Sequence, residues 1–122
     1  MHELSVCIAL LDQVQRVARE RHSGSVSQIV VRLGPLSGVE AELLSNAYPL
    51  AAAGTIAERA ELVIEEMDVV VQCSQCGAES TARPNRLLCG QCGDFRTRIV
   101  SGDEMLLQRI VFGPATPQAV AG

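Results

Sequence analysis

The chain has 122 residues, of which 48% are hydrophobic, enough for one compact domain and a small additional module. Its ten basic residues are all arginine, and the absence of lysine excludes Schiff-base chemistry and a P-loop. Its net charge of −4 and its aromatic content of 2% argue against a nucleic-acid partner. No segment approaches the roughly 20 apolar residues of a membrane span and the N-terminus lacks a secretory signal, so we expect a cytoplasmic protein with no membrane partner.

The first part of the chain predicts a helix followed by a strand. Apolar residues recur at helical spacing from Leu4 to about Arg21, and the pattern stops at Ser23-Gly24. Residues Ser27 to Leu33 then alternate and lead into Gly34-Pro35, which is typical of a strand that enters a turn.

A second helix is predicted after that turn. Ser37-Gly38-Val39-Glu40 has the spacing of a capping box, in which a hydroxyl and a carboxylate satisfy free N–H groups at a helix start. The helix should run to about Ala53. Because Pro49 cannot donate its N–H, we expect a kink or an early break near Ser45 to Tyr48.

The remaining apolar pattern predicts strands. Ala60 to Val71 alternates like one long strand that leads directly into Cys73, and Met105 to Phe112 is a β-rich segment that should return to the sheet. The predicted fold class is therefore α+β, with a three-stranded mixed sheet and two helices, plus an inserted zinc-ribbon module with two CxxC knuckles. Residues 114–122 show no periodicity and predict a disordered tail.

Four of the five cysteines form two CxxC pairs separated by twelve residues: Cys73 and Cys76, then Cys89 and Cys92. Two such pairs complete the tetrahedron that structural zinc prefers, and they leave no open position for a substrate. Gly77 and Gly93 follow the pairs and can adopt the positive φ that turns backbone N–H groups toward the thiolates. Two disulfides or a redox-active pair are the alternatives, and a reducing compartment favours the metal.

The N-terminus offers a different metal chemistry. In Met1-His2-Glu3, the α-amine, the His2 amide and the His2 imidazole can form fused chelate rings around one ion, and tetragonal nitrogen sites favour Ni(II) or Cu(II). Glu3 and Glu40 are candidate oxygen donors if the turn after Pro35 packs beside the N-terminus. The alternatives are a solvated terminal histidine and a helix-capping role for Glu40.

Four segments together resemble the HypA/HybF family of hydrogenase maturation nickel chaperones over about residues 1–112: Met1-His2-Glu3-Leu4-Ser5, the segment from Arg32 to Glu40, the two cysteine pairs, and Gly102-Asp103-Glu104-Met105. The resemblance implies a nickel-binding α+β domain at residues 1–70 and 101–113 and a zinc-binding domain at residues 71–100. It implies transferable Ni(II) at Met1 and His2, with Glu3 and Glu40 as further candidates, and structural Zn(II) at Cys73, Cys76, Cys89 and Cys92.

The resemblance also implies a function without catalytic residues. Family members deliver Ni(II) to the precursor of the [NiFe]-hydrogenase large subunit together with a HypB-type GTPase, and some also serve urease maturation proteins. Monomer and homodimer both remain open. Only His2 and His22 exist, so no histidine near the cysteines can replace one of them at the zinc. The alternative function is a zinc-ribbon module for protein or nucleic-acid interaction without nickel transfer.

Overall fold

The computed structural model describes residues 2–113, so the expected ligand Met1 and the expected tail at 114–122 lie outside the described residues. The elements are α1 (His2–Glu20), β1 (Val26–Leu33), α2 (Ala41–Ala52), β2 (Glu61–Glu66), β3 (Val69–Cys73), β4 (Glu79–Ala82), β5 (Thr97–Ser101) and β6 (Met105–Phe112). The strands form two three-stranded sheets with the orders β2-β1-β6 and β4-β3-β5. The predicted fold class is confirmed. No helix within residues 2–113 has both the length and the apolar character of a membrane span.

The chain forms two compact units. The first comprises the residues up to Val31, Glu40–Ile64 and the residues from Leu107 onward. The second comprises Arg32–Val39 and Glu65–Leu106. The first unit contains both helices, and the second contains the whole β4-β3-β5 sheet and all four paired cysteines.

Helix α1 buries one face along its whole length. The residues on this face are Cys7, Leu10, Leu11, Val14 and Ala18. Their spacing of three or four residues places them on one side of the helix. The helix ends where His22 adopts a φ of 55° and the Ser23 N–H donates to the Ala18 carbonyl at 2.9 Å. This left-handed end is a common way to satisfy the last carbonyl groups of a helix.

Helix α2 begins later than predicted, and the capping box is wrong. Ser37 Oγ accepts from the Val39 N–H at 3.2 Å, which forms a local turn instead of a cap. The N-cap residue is Glu40, whose side chain makes no capping hydrogen bond. The first helical bond runs from the Leu44 N–H to the Glu40 carbonyl at 2.9 Å.

Of the kink or early break predicted near Ser45 to Tyr48, the early break is wrong, because α2 continues through Pro49 to Ala52. The proline removes one hydrogen bond, the one that the Ser45 carbonyl would accept, and Ser45 is exposed to water. Only three helical residues follow, and the Ala53 N–H donates to the Pro49 carbonyl at 3.1 Å to close the helix. A proline this close to the end of a helix therefore leaves the helix bounds unbroken.

Strand β6 returns to β1 as predicted. The Gly113 N–H donates to the Ser25 carbonyl at 3.0 Å, and Ser27 Oγ donates to the Val111 carbonyl at 3.2 Å. The numbering rises on one strand as it falls on the other, so β1 and β6 are antiparallel. The central residues of β1 are buried, with Ile29 and Val31 fully inaccessible to water.

The predicted strand from Ala60 to Val71 is wrong as a single element. It divides into β2 and β3, which belong to different sheets. Gln28 Nε2 donates to Glu61 Oε1 at 3.1 Å, and the Met67 N–H donates to the Leu33 carbonyl at 3.0 Å, so β2 runs parallel to β1. Alternation reports which face a side chain occupies, and it does not report a change of partner strand. The apolar residues do shift from even positions, Leu62 and Ile64, to odd positions, Met67, Val69 and Val71, so the alternation is interrupted between the two strands.

The second sheet was not predicted beyond its central strand. β3 pairs antiparallel with β4 and with β5, with an irregularity in the β5 pairing between Val70 and Val71. β3 ends at Cys73, which confirms that the cysteine module grows from the end of a strand. Both β4 and β5 are short, with four and five residues, and each offers too few alternating positions for a sequence pattern to be detected.

Within the second unit, the segment that follows β1 is hydrogen-bonded to the turn that precedes β6. The Gly34 N–H donates to the Glu104 carbonyl at 2.9 Å, and the Leu36 N–H donates to the Gly102 carbonyl at 2.8 Å. Gly102 has a φ of 109°, and a Cβ placed on it would lie 2.7 Å from the Val69 Cα. A side chain at this position is therefore excluded both by the backbone conformation and by the available space.

Candidate metal centres

The four paired cysteines converge on one point in the second unit. All four Sγ atoms lie within 4.8 Å of one another. The Sγ atoms of Cys73 and Cys92 are 3.6 Å apart, and those of Cys76 and Cys89 are 3.5 Å apart. A tetrahedron with metal–sulfur bonds of about 2.3 Å separates its sulfurs by about 3.8 Å, so the donor set fits a four-thiolate zinc ion.

Each pair forms a turn of the same geometry. Cys73 Sγ accepts from the N–H groups of Gln75 at 3.3 Å and Cys76 at 3.4 Å. Cys89 Sγ accepts from the N–H groups of Gln91 and Cys92 at the same two distances, 3.3 and 3.4 Å. The following glycines close both turns with a φ of 78°, as the sequence predicted: Gly77 and Gly93. Two equivalent turns thus present their first cysteines to the common centre.

These N–H groups favour the thiolate form of the first cysteine in each turn. Hydrogen bonds from the backbone N–H groups of Cys92 and Gln91 lower the pKa of Cys89 to about 6. The pKa of Cys73 is lowered chiefly by the N–H of Cys76. Because the thiolate is the metal-binding form of cysteine, the backbone prepares both residues for ligation.

Ser80 on β4 supports the second turn, and sequence reasoning missed it. Its Oγ accepts from the Gly90 N–H at 2.8 Å, next to Cys89. A Cβ on Gly90 would lie 3.0 Å from the Ser80 Cβ, so the two residues pack closely. No sequence motif marks Ser80, because its role depends on the pairing of β4 with β3.

The arginines near the cysteines in sequence have partners of their own. Arg96 forms an ion pair with Asp94, with 2.9 Å between Nη2 and Oδ2. The Arg98 Nη2 donates to Gln72 Oε1 at 2.5 Å. The Asp94 carboxylate, with smaller contributions from Cys73 and Cys92, raises the pKa of Arg96, so this arginine also interacts electrostatically with the cysteine cluster.

The candidate nickel residues lie at the starts of the two helices. His2 is exposed and is the first residue of α1. Glu3 Oε2 accepts from the Glu40 backbone N–H at 3.3 Å, so the structure brings Glu3 and Glu40 together across 37 positions of the sequence. The N–H of Glu40 is therefore satisfied by Glu3, while its own carboxylate makes no capping bond.

Cys7 belongs to the core and is not available as a ligand. It is fully buried, and its Sγ donates to the Leu44 carbonyl at 3.6 Å, which joins α1 to α2. Burial, with a further contribution from the Glu3 carboxylate, raises the pKa of this thiol. The neutral thiol is therefore the stable form in the folded protein.

Comparison with known proteins gives a consistent match. The family model described as hydrogenase/urease nickel incorporation, metallochaperone, HypA matches residues 1–112. The chain is 44% identical over 110 residues to hydrogenase maturation factor HypA of Nitrosospira multiformis, covering 90% of this chain and 96% of that protein. It is 41% identical to the factor of the same name from Aquifex aeolicus, with the same coverage of 90% and 96%.

Two solved structures share the fold. The solution structure of the Ni metallochaperone HypA from Helicobacter pylori superposes with a TM-score of 0.71 at 21% identity, covering 90% of this chain and 96% of that one. A second solution structure of a HypA protein gives a TM-score of 0.71 at 23% identity, with coverage of 92% and 96%. At these identities the two structures support the fold alone.

Proposed function

Because the chain belongs to the HypA family of hydrogenase and urease nickel-incorporation metallochaperones, we propose that it binds one Ni(II) at its N-terminus and delivers it to the precursor of a [NiFe]-hydrogenase large subunit. The observation that carries this proposal is the family match, which extends from residue 1 to residue 112 and so includes the N-terminal segment. The protein is a maturation factor and not a catalyst.

The start of α1 suits a nickel site made of nitrogen atoms. The first N–H groups of a helix have no carbonyl partner within the helix. The His2 amide can therefore lose its proton to a metal without breaking a helical hydrogen bond. Together with the α-amine of Met1 and the His2 imidazole, it provides the fused chelate that Ni(II) favours. Because the amine and the amide must lose protons, nickel affinity should fall below neutral pH.

Glu3 and Glu40 are proposed as additional residues of the nickel site. The contact of 3.3 Å between Glu3 Oε2 and the Glu40 N–H supports a shared location next to His2. It also gives Glu3 a second role, because the same carboxylate fixes the start of α2. The Glu40 carboxylate, which makes no capping bond, is the freer donor of the two.

Structural zinc is proposed at Cys73, Cys76, Cys89 and Cys92, where it would hold the two turns together and leave no open coordination position. The assignment of nickel to residues 1–70 and 101–113 and of zinc to residues 71–100 stays a prediction. We further propose a HypB-type GTPase and the hydrogenase large-subunit precursor as partners, and urease maturation proteins as additional ones. Zinc would shape the module that recognises one of them.

The decisive experiment compares the two histidines of the chain. His2→Ala should abolish nickel binding while zinc content and the far-ultraviolet circular dichroism stay unchanged. The matched control is His22→Asn, since asparagine tolerates the positive φ at that position and should leave nickel binding intact. Both metals are measured per chain by mass spectrometry of the purified proteins. Nickel binding by His2→Ala would refute the site, and a wild type that binds DNA or RNA but no nickel would favour an interaction module instead.

A further inference from the structure

Helix α2 presents apolar side chains to solvent as well as to the core. Its buried face consists of Leu44, Tyr48 and Ala52. On its outer side, Leu43 is 45% exposed and Leu50 is 72% exposed. Glu42 is the only charged residue in the helix. A surface helix normally carries charged and polar residues on its outer face, so this second apolar stripe points to a binding surface.

The stripe forms one side of a groove between the two helices. The groove has a volume of about 280 Å³ and is lined by Glu3, Leu4, Leu43, Asn46, Ala47 and Leu50. Leu43, Ala47 and Leu50 are spaced four and three residues apart, so they form a continuous ridge along α2. Leu4 faces them from α1. An apolar groove between two helices is the usual receptor for the apolar face of a third helix.

One end of this groove lies at the proposed nickel site and is acidic. Glu3 lines the groove directly, and it follows His2 in the sequence. Glu42 does not line the groove itself, but it is exposed and lies four residues before Asn46, so the two share one face of α2. No arginine lines the groove. A partner that fits must therefore combine apolar side chains with a basic residue near the helix starts.

We propose that the groove binds an amphipathic helix of the protein that exchanges nickel with this chain, with leucine-like side chains between Leu4 and Leu50 and a lysine or arginine facing Glu3 and Glu42. This rests on the proposed function, because a metal held at His2 can only be passed on by a protein that docks beside it. The groove would place that partner next to the metal without using the zinc unit.

The test uses a fluorescent synthetic helix of leucine and lysine whose leucines lie on one face. Fluorescence anisotropy measures its affinity for the full chain. The Leu43→Gln/Leu50→Gln double variant should bind it at least about tenfold more weakly, since each leucine loses part of its apolar burial. Glutamine is nearly as good a helix former as leucine, so α2 should stay intact. The matched control is Leu106→Gln, a leucine 42% exposed outside the groove, which should bind like the wild type.

Two further peptides test the chemistry of the partner. A leucine–glutamate helix should bind more weakly than the leucine–lysine helix, because it places carboxylates against Glu3 and Glu42. A scrambled leucine–lysine peptide without an apolar face should bind more weakly as well. Equal binding of the scrambled peptide would overturn the proposal, and so would unchanged affinity of the double variant. A dimeric wild type whose double variant sediments as a monomer would also overturn it, because a second copy would then occupy the groove.

A cellular measurement separates this inference from the proposed function. In cells that make a [NiFe]-hydrogenase, the double variant should lower hydrogenase activity while the purified variant keeps its nickel and zinc content. Unchanged hydrogenase activity would overturn the docking role. A wild-type protein that takes up no nickel would instead overturn the proposed function, whatever the peptide affinities are.

Discussion

Tyr48 allows the packing of α2 to be measured through a single chromophore. It is the only tyrosine in the chain, which contains no tryptophan. The side chain is 5% exposed, and its hydroxyl donates to the Ala57 carbonyl at 3.0 Å. Burial, with a further contribution from Cys7, raises the pKa of Tyr48 from its ordinary value of 10.0 to about 12. Ionisation of Tyr48 should therefore report on the integrity of the helix pair.

The difference between the two pKa values sets both the size and the direction of the effect on stability. A separation of about two pH units corresponds to about 3 kcal/mol of preference for the neutral phenol in the folded state. Because the folded pKa lies above the unfolded one, this contribution is complete below about pH 10. It is lost as the pH rises from about 10 to about 12, where the folded tyrosine itself ionises.

The assay is an alkaline titration followed by the near-ultraviolet absorbance of tyrosinate, with circular dichroism recorded in parallel. The folded protein should ionise well above pH 10, in a step steeper than one proton if unfolding accompanies it, and the protein in guanidinium should ionise near about pH 10. Tyr48→Phe should abolish the absorbance change and cost about 1 kcal/mol, because the Ala57 carbonyl loses its donor. A one-proton step near pH 10 with unchanged circular dichroism would refute the reasoning.

Three further predictions concern the second unit. Gly102→Ala should lower the free energy of unfolding by about 3 kcal/mol, because Gly102 has a φ of 109° and its new Cβ would lie 2.7 Å from the Val69 Cα. The control is Gly24→Ala, which has open space around it and should cost far less in the same thermal melt. Cys89→Ser should bind no zinc and leave the second unit unfolded, whereas Cys7→Ser should retain its zinc. Equal zinc content in the two variants would contradict the four-thiolate site. Ser80→Ala removes the acceptor of the Gly90 N–H and should weaken zinc binding about tenfold, measured by competition with a chelator. An unchanged zinc affinity would show that this contact is dispensable.

The sequence predicts best those elements in which the apolar pattern extends over many residues. α1 buries Cys7 and Val14 on the same stripe that the spacing indicated, and β6 matches its predicted bounds, Met105–Phe112. The cysteine cluster was predictable for a different reason. Two residues between paired cysteines restrict the turn so strongly that neighbouring structure has little influence on it.

The capping box failed because its spacing is shared with other local structures. A serine three residues before a glutamate can cap a helix, but the same hydroxyl can close a turn with a closer N–H group. Here Ser37 bonds to Val39, and the N–H of Glu40 bonds to Glu3. The competing acceptor, the Glu3 carboxylate, comes from 37 positions away, so no local window of sequence contains it.

That long-range bond changes how the N-terminal residues are understood. From the sequence, Glu40 had a structural role and Glu3 was the residue without one. In the structure, the Glu3 carboxylate holds the N–H at the start of α2, and the Glu40 side chain makes no capping bond. The side-chain contact at the start of α2 is therefore made by Glu3 and not, as expected, by Glu40. A nickel ion that drew the Glu3 carboxylate away from the Glu40 N–H would release the start of α2, which also forms one wall of the groove through Leu43. Metal at the N-terminus and a helix in the groove would then influence one another through a single hydrogen bond.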